Sequence, residues 1–454
     1  MKINVPEEVK TIIKRLNSQG FSAYVVGGCV RDSILNRKPQ DWDISSSAKP
    51  EQVKEIFYDM GVIETGIKHG TVSVIINHNP YEVTTFRCDG EYKDNRRPDT
   101  VTFVSDIDID LSRRDFTINA LACGCEDSSE VIDLFGGIED IKNGIVRCVG
   151  EPEKRFSEDA LRILRALRFA SVLGFDIDNK TSIAIHKQRD LLKNISVERI
   201  MSEFKQLVCG INAVSIIREF RDVIEVFIPE ITAMFEFNQN TPYHCYDVWE
   251  HTLHSVEMIE PEVDLRFTML FHDIGKPKVY SEEILENGNT LGHFYAHAKY
   301  SEEIAAKILN RLKSDNRLLH DVRNLVRMHG DQIPLSKSGI KRKLNKIGVE
   351  LFRKLLKVKR ADVLAQSPGL ADERIKALKD IEILFDEIIS EEECFKIKDL
   401  KINGKDLIEL GFSGCEIGQT LKIILNAVVD GKIDNDRDKT VSYTHLTLPT
   451  KLEV

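Results

Sequence analysis

A short apolar run, Ala23–Val26, ends in Gly27-Gly28, continues through Arg31-Asp32, and is followed by two aspartates one residue apart, Asp41 and Asp43. Paired glycines after a buried strand permit a tight turn and close backbone approach to a ligand, and Arg31 just beyond can pair with a phosphate. If Asp41–Ser45 is a strand, both carboxylates point to one face. Like charges so placed repel unless water or a cation separates them. Their oxygens suit Mg²⁺, which takes carboxylates together with substrate phosphates. The chemistry supported is metal-assisted nucleotidyl transfer, with ions activating a 3′-hydroxyl and neutralising a leaving pyrophosphate. Taken alone, D-x-D is more often a strand end facing water.

The surrounding chain reads first as mixed and then as helical. Pro6-Glu7-Glu8 suits a helix start, with proline in the first turn and acids at the positive end. Ala23–Val26 reads as a strand, Val30–Leu35 as a short helix, and Lys49-Pro50-Glu51 as the start of another helix. Val62–Thr65, Gly70–Ile76 and Tyr81–Phe86 read as strands, so a small sheet domain is expected here. Beyond about residue 155 the strands give way to helical periodicity in Ala160–Leu173, Thr181–Leu192, Val197–Val208 and Ala213–Val226. The expected fold class is α+β, divided as 1–150, 151–238, 239–370 and 371–440; a chain of 454 residues is too long for one ordinary domain. The tail 441–454, VSYTHLTLPTKLEV, shows no helical period and reads as non-native sequence.

Three further segments bring phosphate-ready chemistry in order: Leu111–Ala120 (LSRRDFTINA), Asp133–Asp140 (DLFGGIED) and Ser157–Phe169 (SEDALRILRALRF). No apolar run approaches a membrane span and the N-terminus lacks the apolar core of a signal peptide, so a cytoplasmic location is expected. The nine cysteines lack zinc spacing and read as reduced thiols. A net charge of −10 argues against a surface coated in basic residues. The local basic run Ile340–Arg360 reads equally as a solvated helix face or an RNA contact.

Together, GGCVRD…DWDI, RRDFTINA, DLFGGIED, EDALRILRALRF and ISVERI resemble, in order and spacing, the five motifs of class II tRNA nucleotidyltransferases, the CCA-adding enzymes, whose relatives include bacterial poly(A) polymerases. The resemblance implies a polymerase-β-like nucleotidyltransferase head with helical neck, body and tail, and template-independent addition of CCA to tRNA from CTP and ATP. It implies that Asp41 and Asp43 bind Mg²⁺ and that Gly28, Arg31 and Arg114 contact the nucleotide. Glu82 is a candidate third carboxylate. The tRNA acceptor stem and elbow are the implied partners, with the tail contributing. Glu64–Val74 resembles CCA-adding rather than poly(A) enzymes, and the loop Gly90–Pro98 is one that CC-adding relatives lack. A-only addition stays open, as does a non-catalytic RNA-binding protein with a degenerate head.

Asp159 and Arg162, three apart and expected on one helix face, offer an acceptor beside donors. Cytosine and adenine each present an amino donor beside a ring acceptor, whereas guanine and uracil reverse that order. The pair therefore reads C and A without a template, a role the resemblance assigns to the same positions. Arg165 and Arg168 extend the row toward triphosphate or a neighbouring base. The other reading of Asp159–Arg162 is an ordinary surface salt bridge.

A second constellation is His251, His272-Asp273, His297, His329 and Asp362. Imidazole with carboxylate suits transition metals, although a lone histidine is usually a satisfied core residue. The ordered set resembles the HD phosphohydrolase superfamily. That resemblance implies a divalent transition metal on His251, His272, Asp273 and Asp362, with His297 and His329 fitting two-metal members and Asp331 a lesser competitor for Asp362. Phosphodiesterase or phosphatase activity is implied, for instance on 2′,3′-cyclic phosphates at damaged tRNA ends. A protein whose main activity is that of the HD domain is the other enzymatic reading.

Overall fold

The computed structural model describes residues 3–64, 66–67, 70–90, 101–125, 130–242, 244–286, 290–367, 369 and 371–447. Residues 91–98 of the expected loop Gly90–Pro98, and Thr65, Lys68 and His69 of the Glu64–Val74 stretch, lie outside them, as do residues 448–454. The chain forms two compact units, 1–230 with 310–314 and 231–309 with the chain from 315 onward.

The first unit begins with α1 (Glu7–Ser18), which buries Val9, Ile12, Ile13 and Leu16 at helical spacing. Then come β1 (Ala23–Val26), α2 (Gly28–Ile34), β2 (Ile44–Ser46), α3 (Pro50–Ile56), β3 (Gly61–Ile63), β4 (Thr71–Ile76) and β5 (Asn79–Thr85). Strands β6 (Arg87–Asp89) and β7 (Val101–Phe103) pair with each other, and α4 (Ile107–Ser112), β8 (Leu121–Cys123), β9 (Val131–Asp133) and α5 (Gly137–Asn143) follow. The mixed sheet runs β3-β4-β5-β2-β1-β8-β9, with β2 and β5 parallel and its other pairs antiparallel. Its central strands are covered: Val25, Val26, Ile44 and Val83 are all buried, as are Ser45 and Ser46 of β2.

Strand β10 (Ile145–Val146) leads into α6 (Pro152–Glu158) and α7 (Leu161–Leu173). Helix α7 is buried around most of its circumference. Strand β11 (Asp176–Ile177), which pairs with β10, and helices α8 (Asn179–Gln188), α9 (Val197–Val208), α10 (Ala213–Glu219) and α11 (Arg221–Glu225) complete this unit's elements as far as residue 230.

The second unit contains α12 (Val248–Glu257), α13 (Val263–Phe271), α14 (Lys276–Val279), a hairpin of β12 (Ser281–Ile284) and β13 (Thr290–His293), then α15 (His297–Arg311), α16 (Asn316–Met328), α17 (Lys337–Ile347), α18 (Val349–Leu364), α19 (Asp372–Ser390), α20 (Gly404–Glu409), α21 (Cys415–Val429) and α22 (Arg437–Thr447). Among the described residues no helix is long and apolar enough to cross a membrane.

The α+β class holds, and several local expectations do not. Strand β2 starts at Ile44, so Asp41 and Asp43 precede it instead of lying on it. Strands do not end at residue 155: β11 and the β12–β13 hairpin follow. Val441–Thr447, read as patternless, continues α22, where Thr440 and Thr444 are buried one turn apart; alcohol side chains hide that period from a hydrophobicity reading. The basic run Ile340–Arg360 is largely neutralised by acids. Lys343 meets Asp331 at 2.5 Å, Lys354 meets Asp321 at 3.1 Å, Lys357 meets Glu262 at 3.1 Å, and Lys341 and Arg342 pair with Glu393 and Asp430. All nine cysteines are free thiols.

Candidate functional site

A cleft of about 660 Å³ opens in the first unit at the junction of β1 and α2. Gly27 makes the turn with φ +77°, in the left-handed region, and a Cβ built on it would fall 2.8 Å from Arg114 Nη1. Glycine is therefore required by the backbone conformation, and its lack of a side chain leaves room for the guanidinium beside it. Gly28 opens α2, and Arg31 one turn on donates through Nη1 to Asn119 Oδ1 at 2.6 Å and through Nε to Asp32 at 2.9 Å. Arg114 reaches toward Ser45 Oγ and Asp110 Oδ2, each at 3.5 Å.

Asp41 and Asp43 line this cleft from the irregular segment before β2. The parallel register pairs Ile44 with Val83, so Glu82 stands one step back beside Asp43. Burial raises the Asp43 pKa, Arg114 opposes the rise and Asp41 adds to it. Burial also raises that of Glu82, with further increments from Asp43 and Asp41. A cluster that makes its own ionisation costly is suited to a cation bound among the acids.

The opposite wall is an arginine row. Asp159 does not sit on the helix of Arg162: it caps the end of α6 with extended backbone, before α7 begins. The ion pairs these two residues form are not with each other. Asp159 Oδ2 accepts from Arg199 Nη2 at 3.1 Å, and its Oδ1 accepts from the Leu161 amide at 3.1 Å. Arg162 donates through Nη1 to Glu158 and the Arg155 carbonyl, and through Nη2 to the Arg113 carbonyl at 2.9 Å. Three of the five guanidinium hydrogens are thus committed and two remain. Arg165 binds Asp115, Arg168 lies 2.7 Å from Glu203, and both arginines line the same cleft.

Sequence reasoning missed Arg199, although it lies in the quoted ISVERI segment, and it missed Asp115 and Asn119. Asp115 Oδ1 accepts from the Phe116 amide and from Asn119 Nδ2, so one carboxylate ties Arg165 to the residue that orients Arg31. The DLFGGIED segment braces the fold with its acids. Asp133 accepts from the amides of Gly137 and Ile138, and Asp140 accepts from Thr117 Oγ1 at 2.6 Å. A Cβ on Gly137 would strike the Thr117 carbonyl at 2.2 Å. Asp133 is thus spent on backbone amides, and Asp140 on the side chains of Thr117 and Arg147.

In the second unit, five elements converge on one buried point. His251 comes from α12, His272-Asp273 from the end of α13, His297 from the start of α15, His329 from the end of α16 and Asp362 from α18. Every histidine turns Nδ1 to a backbone carbonyl: His251 to Ala365, His272 to Met269, His297 to Phe294 and His329 to Val326, at 2.7–3.2 Å. Every Nε2 faces inward. His251 Nε2 lies 3.3 Å from His272 Nε2, and His297 Nε2 lies 3.0 Å from His329 Nε2. Asp273 stands between the two pairs, with Oδ2 toward His251 and His272 and Oδ1 toward His297 and His329. Asp362 Oδ1 completes the first group, 3.1 Å from His251. Asp331 instead pairs with Lys343.

The chemistry of this donor set fits metal. Nδ1 anchored on a carbonyl and Nε2 pointing at a shared centre is the arrangement of ligating histidines. Lys276 Nζ approaches Asp273 Oδ2 at 2.7 Å, yet neither buried oxygen of Asp273 has a hydrogen bond of normal geometry. Lys276 and His244 were not foreseen. Burial, with Lys276 and His251 nearby, pushes His244 down to about 3, and its ring packs edge-on against His251 at 4.7 Å.

Three stretches of the chain match known families. Residues 23–147 match the family described as "Poly A polymerase head domain", 174–235 match "Probable RNA and SrmB- binding site of polymerase A", and 289–443 match tRNA nucleotidyltransferase domain 2. The last match takes in His297, His329 and Asp362 and runs into α22. A CCA-adding enzyme of Lactobacillus helveticus is 35% identical over 444 residues, covering 95% of each chain. The crystal structure of the Bacillus stearothermophilus CCA-adding enzyme in complex with CTP is similar at TM-score 0.70 and 30% identity, covering 97% of this chain and 96% of that one. The Thermotoga maritima CCA-adding enzyme complexed with tRNA shares the fold at TM-score 0.61 and 22% identity, over 99% of both chains.

Proposed function

The chain belongs to the CCA-adding enzyme family, nucleotidyltransferases that build CCA onto tRNA from CTP and ATP with a divalent metal, and from that premise we propose which of its residues do the work. Asp41 and Asp43, with Glu82 as a third acid, hold Mg²⁺ at the cleft. An ion held there would lower the pKa of the primer 3′-hydroxyl and offset the charge of the leaving pyrophosphate. The turn at Gly27-Gly28 lets the triphosphate approach the backbone, and Arg31 and Arg114 pair with its oxygens. Asp159 accepts the exocyclic amino hydrogen of cytosine or adenine, and a free N–H of Arg162 donates to the neighbouring ring acceptor. Guanine and uracil set carbonyl against carboxylate; a bidentate base contact of this kind discriminates by about 1–3 kcal/mol. Residues 1–150 form the catalytic head, 151–238 the selecting neck, and 371–440 contribute to the grip on tRNA, in the cytoplasm.

The observation that carries this reading is that Asp41, Asp43 and Glu82 line one cleft together with Arg31, Arg114, Arg162, Arg165 and Arg168. The test is end-addition on purified tRNA lacking its terminal CCA, with each nucleotide singly and mixed, with and without Mg²⁺. Incorporation of CTP and ATP that requires Mg²⁺ is expected. Incorporation of ATP alone on a tRNA ending in CC, and of nothing on shorter tRNA, would replace it with A-only addition.

A second activity is favoured by one specific feature, the two inward histidine pairs bridged by Asp273. Our reading is that residues 239–370 are an HD phosphohydrolase. His251, His272, Asp273 and Asp362 would hold one transition metal, and Asp273, His297 and His329 a second. When bound, such a metal supplies a hydroxide nucleophile near neutral pH. The residues' own part is to keep each Nε2 free of its proton by committing Nδ1 to a carbonyl.

A further inference from the structure

Phe169 ends the EDALRILRALRF segment, and three guanidinium groups converge on its ring. Arg168 lies 4.1 Å from the centroid, Arg31 5.1 Å and Arg165 5.3 Å. Cation–π contacts of this quality occur roughly once per 70–80 residues, so three on one ring is a built arrangement. The ring is buried, lines the cleft, and meets the fully buried Phe116 edge-on at 5.8 Å, which anchors it to the core. Its three arginines come from two helices distant in the chain: Arg31 from α2, and Arg165 and Arg168 from α7.

Bringing three like charges together in a partly desolvated cleft costs energy. Burial pulls the Arg168 pKa down, Glu203 opposes that, and the guanidinium of Arg165, then that of Arg31, pushes it lower. Acids hold the far sides of the row: Asp115 takes Arg165, Glu203 takes Arg168, and Asp32 takes Arg31. The aromatic ring, with its negative quadrupole, is the neighbour that all three arginines share.

We infer that Phe169 is a positioning residue that aligns Arg31, Arg165 and Arg168 as one anion-binding surface for the phosphate groups of the polymerising reaction. The inference rests on the proposed reading of this cleft as the nucleotide site. The ring does not touch the reacting atoms; it fixes where the cations stand before substrate arrives, so less ordering is left for binding. The phosphates it serves are those of the incoming triphosphate or of the RNA terminus.

Steady-state addition on tRNA ending in C or CC, measured for wild type, Phe169→Leu and Phe169→Trp, tests this. Phe169→Leu keeps an apolar core residue but removes the quadrupole. Its KM for CTP and ATP is expected to rise about tenfold with kcat held within threefold, and Phe169→Trp is expected to return KM toward wild type. A rise in the KM for tRNA instead assigns the surface to the RNA phosphate and supports the alignment equally. Unchanged KM values for both substrates beside a lowered melting temperature, or equal KM values in the leucine and tryptophan variants, overturn the inference. Failure of the cleft reading itself shows separately, as activity that survives Asp41→Asn with Asp43→Asn.

Discussion

Arg165 grips Asp115 with two nitrogens, Nε at 2.8 Å and Nη2 at 2.6 Å, joining residues fifty apart in the chain. The contact ties α7 to the RRDF segment, and through Asn119 to Arg31. Burial raises the Asp115 pKa, but Arg165 and Asn119 more than reverse this and hold it at about 2.

Because the folded value lies below the ordinary carboxylate value near 3.8, the pair stabilises the protein fully above that value and the contribution fades as pH falls toward 2. The full effect is roughly 2 kcal/mol. Denaturant unfolding between pH 3 and 7 should show Asp115→Asn less stable at neutrality by that order, with a flatter acid limb. Parallel pH curves for variant and wild type would remove Asp115 from this role.

Neutralising the acids of the cleft should act on activity and stability in opposite directions. Asp41→Asn with Asp43→Asn is expected to reduce nucleotide addition by about a thousandfold or more, since both carboxylates are needed to hold the ion. Asp43 has a raised pKa in the fold, so its charge opposes folding at pH 7 and the double variant should melt no lower than wild type. Near-normal end-addition by the variant would be incompatible with the proposed mechanism.

Base choice should depend on Arg199 as well as on Asp159 and Arg162. Arg199 holds Asp159 Oδ2, so Arg199→Ala frees the acceptor to rotate. Misincorporation of GTP and UTP is expected to rise about tenfold, within the range of one lost bidentate contact, while the melting temperature moves little. If Arg199→Ala keeps wild-type fidelity and Asp159→Ala does not, the acid is oriented by its own capping bond to Leu161.

The histidine cluster should be separable from polymerisation. His272→Ala with Asp273→Ala is expected to abolish hydrolysis of bis-p-nitrophenyl phosphate and of 2′,3′-cyclic nucleotides, to lower bound transition metal in elemental analysis, and to leave CCA addition intact. Simultaneous loss of both activities would favour a purely structural metal.

The parts visible in the sequence were those with local causes. The strand–glycine turn–helix at Val26–Arg31 is set by φ and by apolar runs, and the metal-ready set announces itself because His-Asp doublets are rare in apolar surroundings. What escaped was set by tertiary partners. Asp159 was taken to share a helix with Arg162, yet a break falls between them that no proline or glycine marks; its cause is the capping bond from Leu161 and the reach of Arg199, 40 residues away. DLFGGIED looked like a ligand loop because glycines between acids serve both phosphates and backbone amides, and only the fold tells which donors are near. The α22 period escaped because its buried positions are threonines.

The acid partners of the Ile340–Arg360 cations carry a consequence for how RNA affinity responds to ionic strength. A lysine already facing a carboxylate displaces few condensed counterions when a phosphate arrives, so it adds little to the slope of log affinity against log salt. That slope, measured for tRNA, should therefore scarcely change when Lys354 and Lys357 are replaced by glutamine.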